Sequence, residues 1–303
     1  MPHTNHLTLL PNQGWDARIL ICRNDALVQV FIVVTQRYVV LVDTLINSAT
    51  AQQLVEYAQP YLTGGRTLLV VNTHAGYDHA WGNQLFGGPD ARYPAPILGA
   101  RQCAALLAGT ASHELLDAMQ RAEPAIFGDV RLTAPTLFFD QELMIDGGDL
   151  TLHLFATPGH TPDHISLYIP EIATLLAGDA AELPYPAART VAGLPLLRAS
   201  LEKLAALEAR QVLYCHAPVT AGAPLLHDNL AYFAALERAC RAVLARGLPA
   251  DLGDDAGLIA RVGCHYADIT PHTDLWADVH DQYRIAGHAA QLRMMLAWLA
   301  GGA

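Results

Sequence analysis

The chain has very little of several residues and motifs on which common enzyme classes depend. Only one of its 303 residues is a lysine, Lys203, and it lies in a helical, apparently exposed stretch. A Schiff-base lysine or the lysine of a phosphate-binding loop is therefore not expected. None of the four serines stands in a Gly-x-Ser-x-Gly elbow, and no Gly-x-Gly-x-x-Gly follows a predicted strand. The sequence thus argues against serine hydrolases and dinucleotide-binding enzymes.

Long apolar runs and positive charge are also scarce. The longest apolar run, residues 26–43, is interrupted at residues 29 and 35–37, so it predicts two strands joined by a tight turn. A membrane-spanning helix would need roughly 20 apolar residues. The formal charge of −11 argues against nucleic-acid binding, which needs a basic face. The first 16 residues lack a basic segment followed by an apolar core, so we expect a cytoplasmic protein without membrane partners.

Cysteine is sparse and scattered. The five cysteines include no Cys-x-x-Cys pair, a pattern that predicts reduced thiols in a cytosolic protein. Cys215 stands beside His216, which allows a thiol nucleophile, but burial at the end of a strand is the favoured interpretation. Histidine, by contrast, is abundant, with 14 residues. The positions of these histidines relative to the predicted strands indicate which of them have a function.

The order of predicted elements indicates an α/β fold with helices covering sheets. Strands are predicted at 17–23, 27–35, 37–43, 66–72, 150–156, 164–169, 173–178 and 211–215, and helices at 48–62, 100–123, 195–208 and from about 224 onward. Ser48 is the predicted N-cap of the first helix. Strand-like segments cease after about residue 222, so we predict one domain at 1–222 and a helical C-terminal extension at 223–303 packed on it.

Candidate metal ligands recur where predicted strands end. They are His74, Asp78 and His79 after the strand at 66–72, His160 after 150–156, Asp179 after 173–178 and His216 after 211–215. Loops at the ends of a rigid sheet commonly carry catalytic groups, and imidazole and carboxylate suit zinc, iron or manganese. Gly159 and Gly178 precede two of these ligands and allow tight turns. Each residue alone has a structural interpretation, but together they predict a metal site.

Four ordered motifs carry a family resemblance: "THAGYDH", "TPGHTPDH", "AGDAAE" and "YCHAP". They resemble the motifs of the metallo-β-lactamase superfamily over about residues 17–220. "DTLIN" at 43–47 resembles the family's Asp-Thr turn, which is structural more than catalytic. The resemblance implies a four-layer αββα sandwich of two mixed sheets flanked by helices, with the metals at one edge of the sheets.

The resemblance also assigns the ligands. His74 and His160 would hold a first metal, Asp78, His79 and His216 a second, and Asp179 would bridge both. The family's first motif is His-x-His-x-Asp-His, and here its second histidine is replaced by Gly76. Because glycine has no side chain, the first site is expected to bind its metal more weakly than the second. We expect one or two metals per chain, zinc first, with iron or manganese as alternatives.

Three neighbouring residues are candidates to compensate for Gly76. His153 lies within a predicted strand and His164 opens the next one, so structural roles are favoured for both. Glu182 lies three residues beyond Asp179 in a predicted loop and is the strongest of the three. If the backbone at Gly76 has a negative φ, a histidine restored there is expected to complete the first site.

The predicted function is a metal-dependent hydrolase that uses a metal-bound hydroxide on an ester, thioester, lactone or related bond of a small molecule, with Asp78 also orienting the water. Two alternatives remain: a non-haem iron oxidoreductase of the same fold, and a catalytically impaired metal-binding member. The C-terminal helices would cross the cleft or form a homodimer surface. Their aromatic residues Tyr266, Trp276 and Tyr283 suit either substrate contact or, more commonly, core packing.

Overall fold

The computed structural model describes residues 3–247, 253–277 and 279–301. Packing divides the chain into two compact units: the first unit is Met1–Ala156 with Asp163–Leu176, and the second unit is Thr157–Pro162 with Ala177–Ala303. The region predicted to be helical from about residue 224 onward includes residues 248–252 and Asp278, which lie outside the described residues. Within the described ranges, no helix combines the length and apolar character that crossing a bilayer requires. The predicted domain division after residue 222 and the predicted cytoplasmic location stay predictions.

Seven strands of the first unit form one mixed sheet whose strands follow chain order. They are β1 (Thr8–Leu9), β2 (Ile19–Asn24), β3 (Val28–Val34), β4 (Tyr38–Val42), β5 (Thr67–Val71), β6 (Ile97–Ala100) and β7 (Leu137–Phe139). Pairing is antiparallel from β1 to β4 and parallel from β4 to β7. Because β4 and β5 are parallel with Val42 opposite Val71, the loops that follow them leave the sheet at the same edge.

The second sheet has five strands, of which four lie in the first unit. These four are β8 (Glu142–Asp146), β9 (Thr151–Ala156), β10 (Ile165–Ile169) and β11 (Thr174–Leu176), and successive strands pair antiparallel. The helices of the first unit are α1 (Ser48–Ala58), α2 (Tyr77–Ala80), α3 (Arg101–Leu107), α4 (Thr110–Ala122) and α5 (Pro124–Phe127). Alternating side chains of β9 and β10, such as Leu152, Leu154, Ile165 and Leu167, are buried.

The second unit contains the fifth strand and is otherwise helical. Its elements are α6 (Gly193–Ala205), β12 (Gln211–Leu213), α7 (Pro224–Ala245), α8 (Asp255–Val262), α9 (Tyr266–Ile269), α10 (Asp274–Ala277) and α11 (His288–Gly301). Leu225, Tyr232 and Phe233 of α7 and Leu292 of α11 are buried, because these helices place their apolar faces in the core of the unit. Two sheets flanked by helices, with a helical C-terminal region, confirm the predicted fold class.

The predicted strands lie within two residues of the observed ones, whereas some local details differ. The predicted N-cap Ser48 is wrong, because Asn47 caps α1: its backbone is extended and its Oδ1 accepts the N–H of Thr50 at 2.9 Å. The helix predicted over 100–123 is two helices, α3 and α4, separated at residues 108–109. The missed strands β1, β6, β7 and β8 have two to five residues each, too few for a clear periodicity.

The aromatic residues of the C-terminal region are mostly in the core. Tyr266 and Trp276 are buried, and the Tyr266 hydroxyl donates to the carbonyl of Pro184 at 2.9 Å. Tyr283 is 49% exposed, so it alone of the three is available to a ligand from solvent. Core packing is thus the role that the structure gives to two of these three side chains.

His288 of α11 is buried in a neutral state that its partners determine. Nε2 lies 2.7 Å from the carbonyl oxygen of Cys264 and so must donate, and Nδ1 lies 2.7 Å from the Tyr232 hydroxyl and so accepts. Burial lowers the pKa of His288, while the bond to the Cys264 carbonyl partly opposes this shift. A protonated ring would have two donors and would lose the hydrogen bond from Tyr232.

We therefore expect His288 to make the protein less stable in mild acid. Because its folded pKa is depressed, the unfolded chain binds more protons below pH 6.5, the ordinary histidine pKa. The contribution of His288 to folding stability is complete above that pH and decreases as the pH falls through it. Melting temperatures at pH 8 and pH 5.5 should differ less in His288→Gln than in the wild type. The exposed His227→Gln should keep the wild-type difference, and an equal pH difference in His288→Gln would contradict the assignment.

Candidate metal centre

The first unit holds three candidate ligands on the loop and short helix that follow β5. His74 lies three residues beyond Val71, where β5 ends. Helix α2 starts at Tyr77, so Asp78 and His79 occupy its first turn. His74 is 2% exposed, His79 fully buried and Asp78 9% exposed. The His74 and His79 rings lie 4.2 Å apart, and His79 Nε2 lies 3.6 Å from Asp78 Oδ2. The first unit therefore gathers its three predicted ligands in one place.

A buried hydrogen-bond network orients the two imidazoles. Asp43, which follows β4, accepts the backbone N–H of Thr73 at 2.7 Å and its hydroxyl at 2.8 Å. The same carboxylate lies 2.8 Å from Nδ1 of His79, which must donate to it. The Thr73 hydroxyl oxygen in turn lies 3.1 Å from Nδ1 of His74. Because both Nδ1 atoms carry the proton, both Nε2 atoms keep the lone pair that a metal needs.

Asp43 is fully buried, and burial raises its pKa while the hydrogen bonds from His79 and Thr73 oppose that shift. The sequence interpretation treated the Asp-Thr turn at 43–44 as structural and missed this support of the ligands. One signal was available, because Asp43 follows a buried strand just as the predicted ligands do. It and Thr73 orient ligand side chains and contact no open position themselves.

Gly76 affects the position of His74. Its backbone, with φ −53° and ψ 144°, is open to any L-residue. A Cβ built at this position, however, would lie 2.6 Å from Nε2 of His74 and 3.1 Å from Cδ2 of His79. The condition of negative φ is met, yet the His74 ring occupies the space that a side chain at 76 would need. A restored histidine would thus displace one ligand while adding another.

Gly76→Ala isolates this steric effect. The added methyl group should push the His74 ring aside and weaken metal binding roughly tenfold, in the range found when the support of a ligand is lost. Folding stability should change little, since the backbone conformation suits alanine. In a His74→Ala background the close contact with Nε2 is gone and the methyl group meets only Cδ2 of His79, at 3.1 Å, so the further loss should be much smaller. Zinc titration of the four proteins measures this; an equal loss in both backgrounds would contradict it.

Asp163 ties the ligand loop of the first unit to the turn that precedes β10. Its Oδ2 accepts the backbone N–H of Ala75 at 2.7 Å, and it accepts a hydrogen bond from the Cys103 thiol. Burial raises the pKa of Cys103, and the nearby Asp163 carboxylate adds to the shift, so this thiol stays protonated. His164 is buried with its ring 5.3 Å from that of His74. His153 lies on β9, with Nε2 3.1 Å from Glu142 Oε2.

The second unit holds the remaining ligands on turns that need glycine. Gly159 has φ +137°, and a Cβ there would lie 2.2 Å from the backbone nitrogen of Leu197. Gly178 has φ +58°, in the left-handed region. His160 and Asp179 follow these two glycines directly, which confirms the tight turns that the sequence predicted. Both side chains are buried, at 2% exposed.

The polar atoms of the second unit have the spacing of metal ligands. Asp179 Oδ2 lies 3.5 Å from Nε2 of His160 and 3.3 Å from Nε2 of His216. Two ligands of one tetrahedral zinc, with bonds of about 2.1 Å, stand roughly 3.4 Å apart. His160 Nδ1 lies 2.9 Å from the carbonyl oxygen of Ala187 and so donates to it. The other ring nitrogen, Nε2, is the one that faces Asp179, so a cation between the two side chains would contact both.

The residues around this group differ in their accessibility. His216 follows β12, and its side chain is 19% exposed. Cys215 beside it is buried, as are the other four cysteine thiols, which confirms the burial interpretation. Glu182, the candidate to compensate for Gly76, lies with His216 and Asp179 in one group of potential ligand atoms within 4.8 Å of one another.

These features define a metal-binding α/β protein, and comparison with known proteins gives its family. A family model described as the metallo-beta-lactamase superfamily matches residues 23–216, more than half of the chain. The chain belongs to that superfamily. A search of curated proteins found no match.

Solved structures with the same fold are distant in sequence. A metallo-beta-lactamase from Pontibacter korlensis is 18% identical, with a TM-score of 0.58 over 76% of this chain and 99% of that one. A metallo-beta-lactamase family protein from Thermus thermophilus is 20% identical, with a TM-score of 0.54 over 78% of this chain and 82% of that one. The DIM-1 metallo-beta-lactamase is 15% identical, with a TM-score of 0.52 over 73% and 97% of the two chains. At these identities the likeness shows the fold.

Proposed function

We propose that the protein is a metal-dependent hydrolase. The observation that carries the proposal is the spacing of its imidazole nitrogens and carboxylate oxygens. In each unit Nε2 atoms stand 3.3–3.6 Å from carboxylate oxygens. The other ring nitrogen, Nδ1, of His79 and of His160 bonds instead to Asp43 and to a backbone carbonyl. Separations of roughly 3.4 Å are those of two ligands that share one metal ion.

The proposed ligands are the six motif residues His74, Asp78, His79, His160, Asp179 and His216. By the family pattern, His74, His160 and Asp179 serve a first metal, and Asp78, His79 and His216, with Asp179 again, serve a second. Zinc fits the imidazole-rich set, and iron and manganese are alternatives. The absence of a ligand at Gly76 makes the first site the weaker of the two, so occupancy of one to two metals per chain is expected.

Different residues of this chain have different roles in the proposed hydrolysis. A bound divalent metal supplies an activated water and polarises the carbonyl that is attacked. Asp78, which is 9% exposed, has a carboxylate edge that can orient the water and hold its proton. Asp43 and Thr73 accept hydrogen bonds from Nδ1 of His79 and of His74 and so fix the orientation of the two rings, with Nε2 directed away from these partners. The proposed substrate is a small molecule with an ester, thioester, lactone or related bond.

Metal analysis combined with a substrate panel tests the function. Protein purified without added metal should contain at least one equivalent of zinc by elemental analysis, and it should hydrolyse members of an ester, thioester and lactone panel. Removing the metal with a chelator should abolish turnover and lower the melting temperature, since a metal that binds the native state stabilises it. Re-addition of zinc should restore both. Bound iron with oxygen consumption and no hydrolysis would instead support the oxidoreductase alternative.

Asp78→Asn should separate catalysis from folding. The amide keeps the shape of the side chain but cannot hold the proton of the water, so kcat should fall by roughly 100-fold or more. The exposed Asp117→Asn on α4 removes the same charge and should leave kcat unchanged. If Asp78→Asn retained full kcat with a full complement of metal, Asp78 would have no catalytic part.

A further inference from the structure

Glu182 lies in the loop between Asp179 and α6, and the family pattern gives it no role. It is 8% exposed. One of its carboxylate oxygens belongs to a group with Asp179 and His216 in which the potential ligand atoms all lie within 4.8 Å of one another. Ligands of one ion with bonds of about 2.0–2.2 Å lie at most roughly 4.4 Å apart, so a small movement of these side chains would let a single ion contact all three. The group lies wholly within the second unit.

The other contacts of Glu182 join it to His160. Its Oε1 lies 3.3 Å from Nδ1 of His160 and accepts the backbone N–H of Ala187, also at 3.3 Å. The His160 Nδ1 proton lies closer to the Ala187 carbonyl oxygen, at 2.9 Å. Both donors are thus at the long end of hydrogen-bond distances, and a second carboxylate, that of Asp179, lies close by. A divalent cation between the two carboxylates would offset their mutual repulsion.

We propose that Glu182 is a metal ligand of this chain, in one group with Asp179 and His216. The inference rests on the metal centre of the proposed function but not on its reaction. The Glu182 carboxylate adds a negative charge and a hard oxygen donor to the six motif residues. The resulting group, with two carboxylates and one imidazole, binds Mn²⁺ and Fe²⁺ relatively better than a histidine-rich set does.

The C-terminal helices hold Glu182 in position. Asn229 of α7, which is fully buried, accepts the Glu182 backbone N–H at 2.9 Å and donates to its carbonyl at 3.1 Å. Tyr266 of α9 bonds to Pro184 in the same loop, and Gln291 of α11 donates to the Ala188 carbonyl at 3.3 Å. Three helices therefore determine the path of one loop. Asn229 is a positioning residue for the ligand and touches no metal itself.

Metal titration of Glu182→Gln, without substrate, tests the inference. The amide keeps the size of the side chain but binds metal poorly, so the zinc Kd, measured by competition with a chromophoric chelator, should rise by more than about 100-fold. Loss of a residue that only hydrogen-bonds to a ligand typically weakens metal affinity 10- to 100-fold. The size of the increase in Kd therefore distinguishes a ligand from a residue that supports a ligand. The d–d absorption spectrum of the Co²⁺-loaded protein should also change. The Mn²⁺ Kd should rise more than the zinc Kd.

Two further variants complete the test. Glu202→Gln on α6 removes the same charge from an exposed position of the second unit and should bind zinc as the wild type does. Asn229→Ala should raise the zinc Kd by roughly tenfold through misplacement of the loop. Melting of each protein in its metal-free form shows that it is folded. Wild-type affinity and an unchanged Co²⁺ spectrum in folded Glu182→Gln would overturn the inference, even if hydrolysis were established. Metal loss in that variant without hydrolysis by any variant would overturn only the proposed function.

Discussion

Asp179→Ala is expected to remove all tightly bound metal and to lower kcat/KM by at least about 1,000-fold, or roughly 4 kcal/mol of transition-state stabilisation. Its Oδ2 lies between the Nε2 atoms of His160 and His216, at 3.5 Å and 3.3 Å. A carboxylate in this position serves every metal that these imidazoles bind. Elemental analysis after dialysis measures the loss, and steady-state kinetics on the best substrate of the panel measures the effect on rate.

His74→Ala is the informative comparison for this variant. In the proposed assignment His74 serves only the weaker first metal, so its alanine variant should keep close to one equivalent, whereas Asp179→Ala should keep none. His79→Ala and His216→Ala should each strip the metal of the second site and abolish activity. A full metal equivalent in these two variants would contradict the assignment of sites. If His74→Ala lost as much metal as Asp179→Ala, the first site would be the dominant one.

Asp43→Ala should cause the largest loss of stability. The carboxylate is fully buried and accepts three hydrogen bonds, from the Thr73 backbone, the Thr73 hydroxyl and His79. Its removal leaves these donors unsatisfied in the core, and breaking a buried charged pair costs about 3–5 kcal/mol. The free energy of unfolding in urea measures this effect. The metal Kd should also rise about 10- to 100-fold, because His79 loses the partner that orients it.

Two variants calibrate the result for Asp43. Thr73→Val removes one of the three donors and leaves the Asp43–His79 bond, so it should cost about 1–3 kcal/mol. Asp129→Ala removes an exposed carboxylate and should lie within about 0.5 kcal/mol of the wild type. If the free energy of unfolding of Asp43→Ala were no lower than that of Thr73→Val, the hydrogen bond between Asp43 and His79 would contribute nothing to stability.

Much of the site could be predicted because its chemistry is local in sequence. His74, Asp78 and His79 lie within six residues after an apolar strand, and Gly159 and Gly178 precede ligands on turns that need a positive φ. Such signals come from residue type and spacing alone. The strands of the two sheets could be predicted for the same reason, since runs such as "VQVFIVV" of β3 are buried along their whole length.

The contacts of the supporting residues could not be predicted, because they join positions that are far apart in the sequence. Asp43 meets His79 only because β4 and β5 are parallel and in register. Asn229 holds Glu182 from 47 positions away, and buried asparagines on helices give no sequence signal for such a contact. The collision of a side chain at position 76 with His74 depends on a side-chain rotation that spacing does not encode.

The crowding at position 76 has a consequence for redesign of this loop. Because the His74 ring occupies the volume that a Cβ at Gly76 requires, a change of glycine to histidine would displace one candidate ligand before it added another. A second imidazole at this position therefore needs two substitutions in a fixed order: first one that moves the His74 ring, and then the change at position 76.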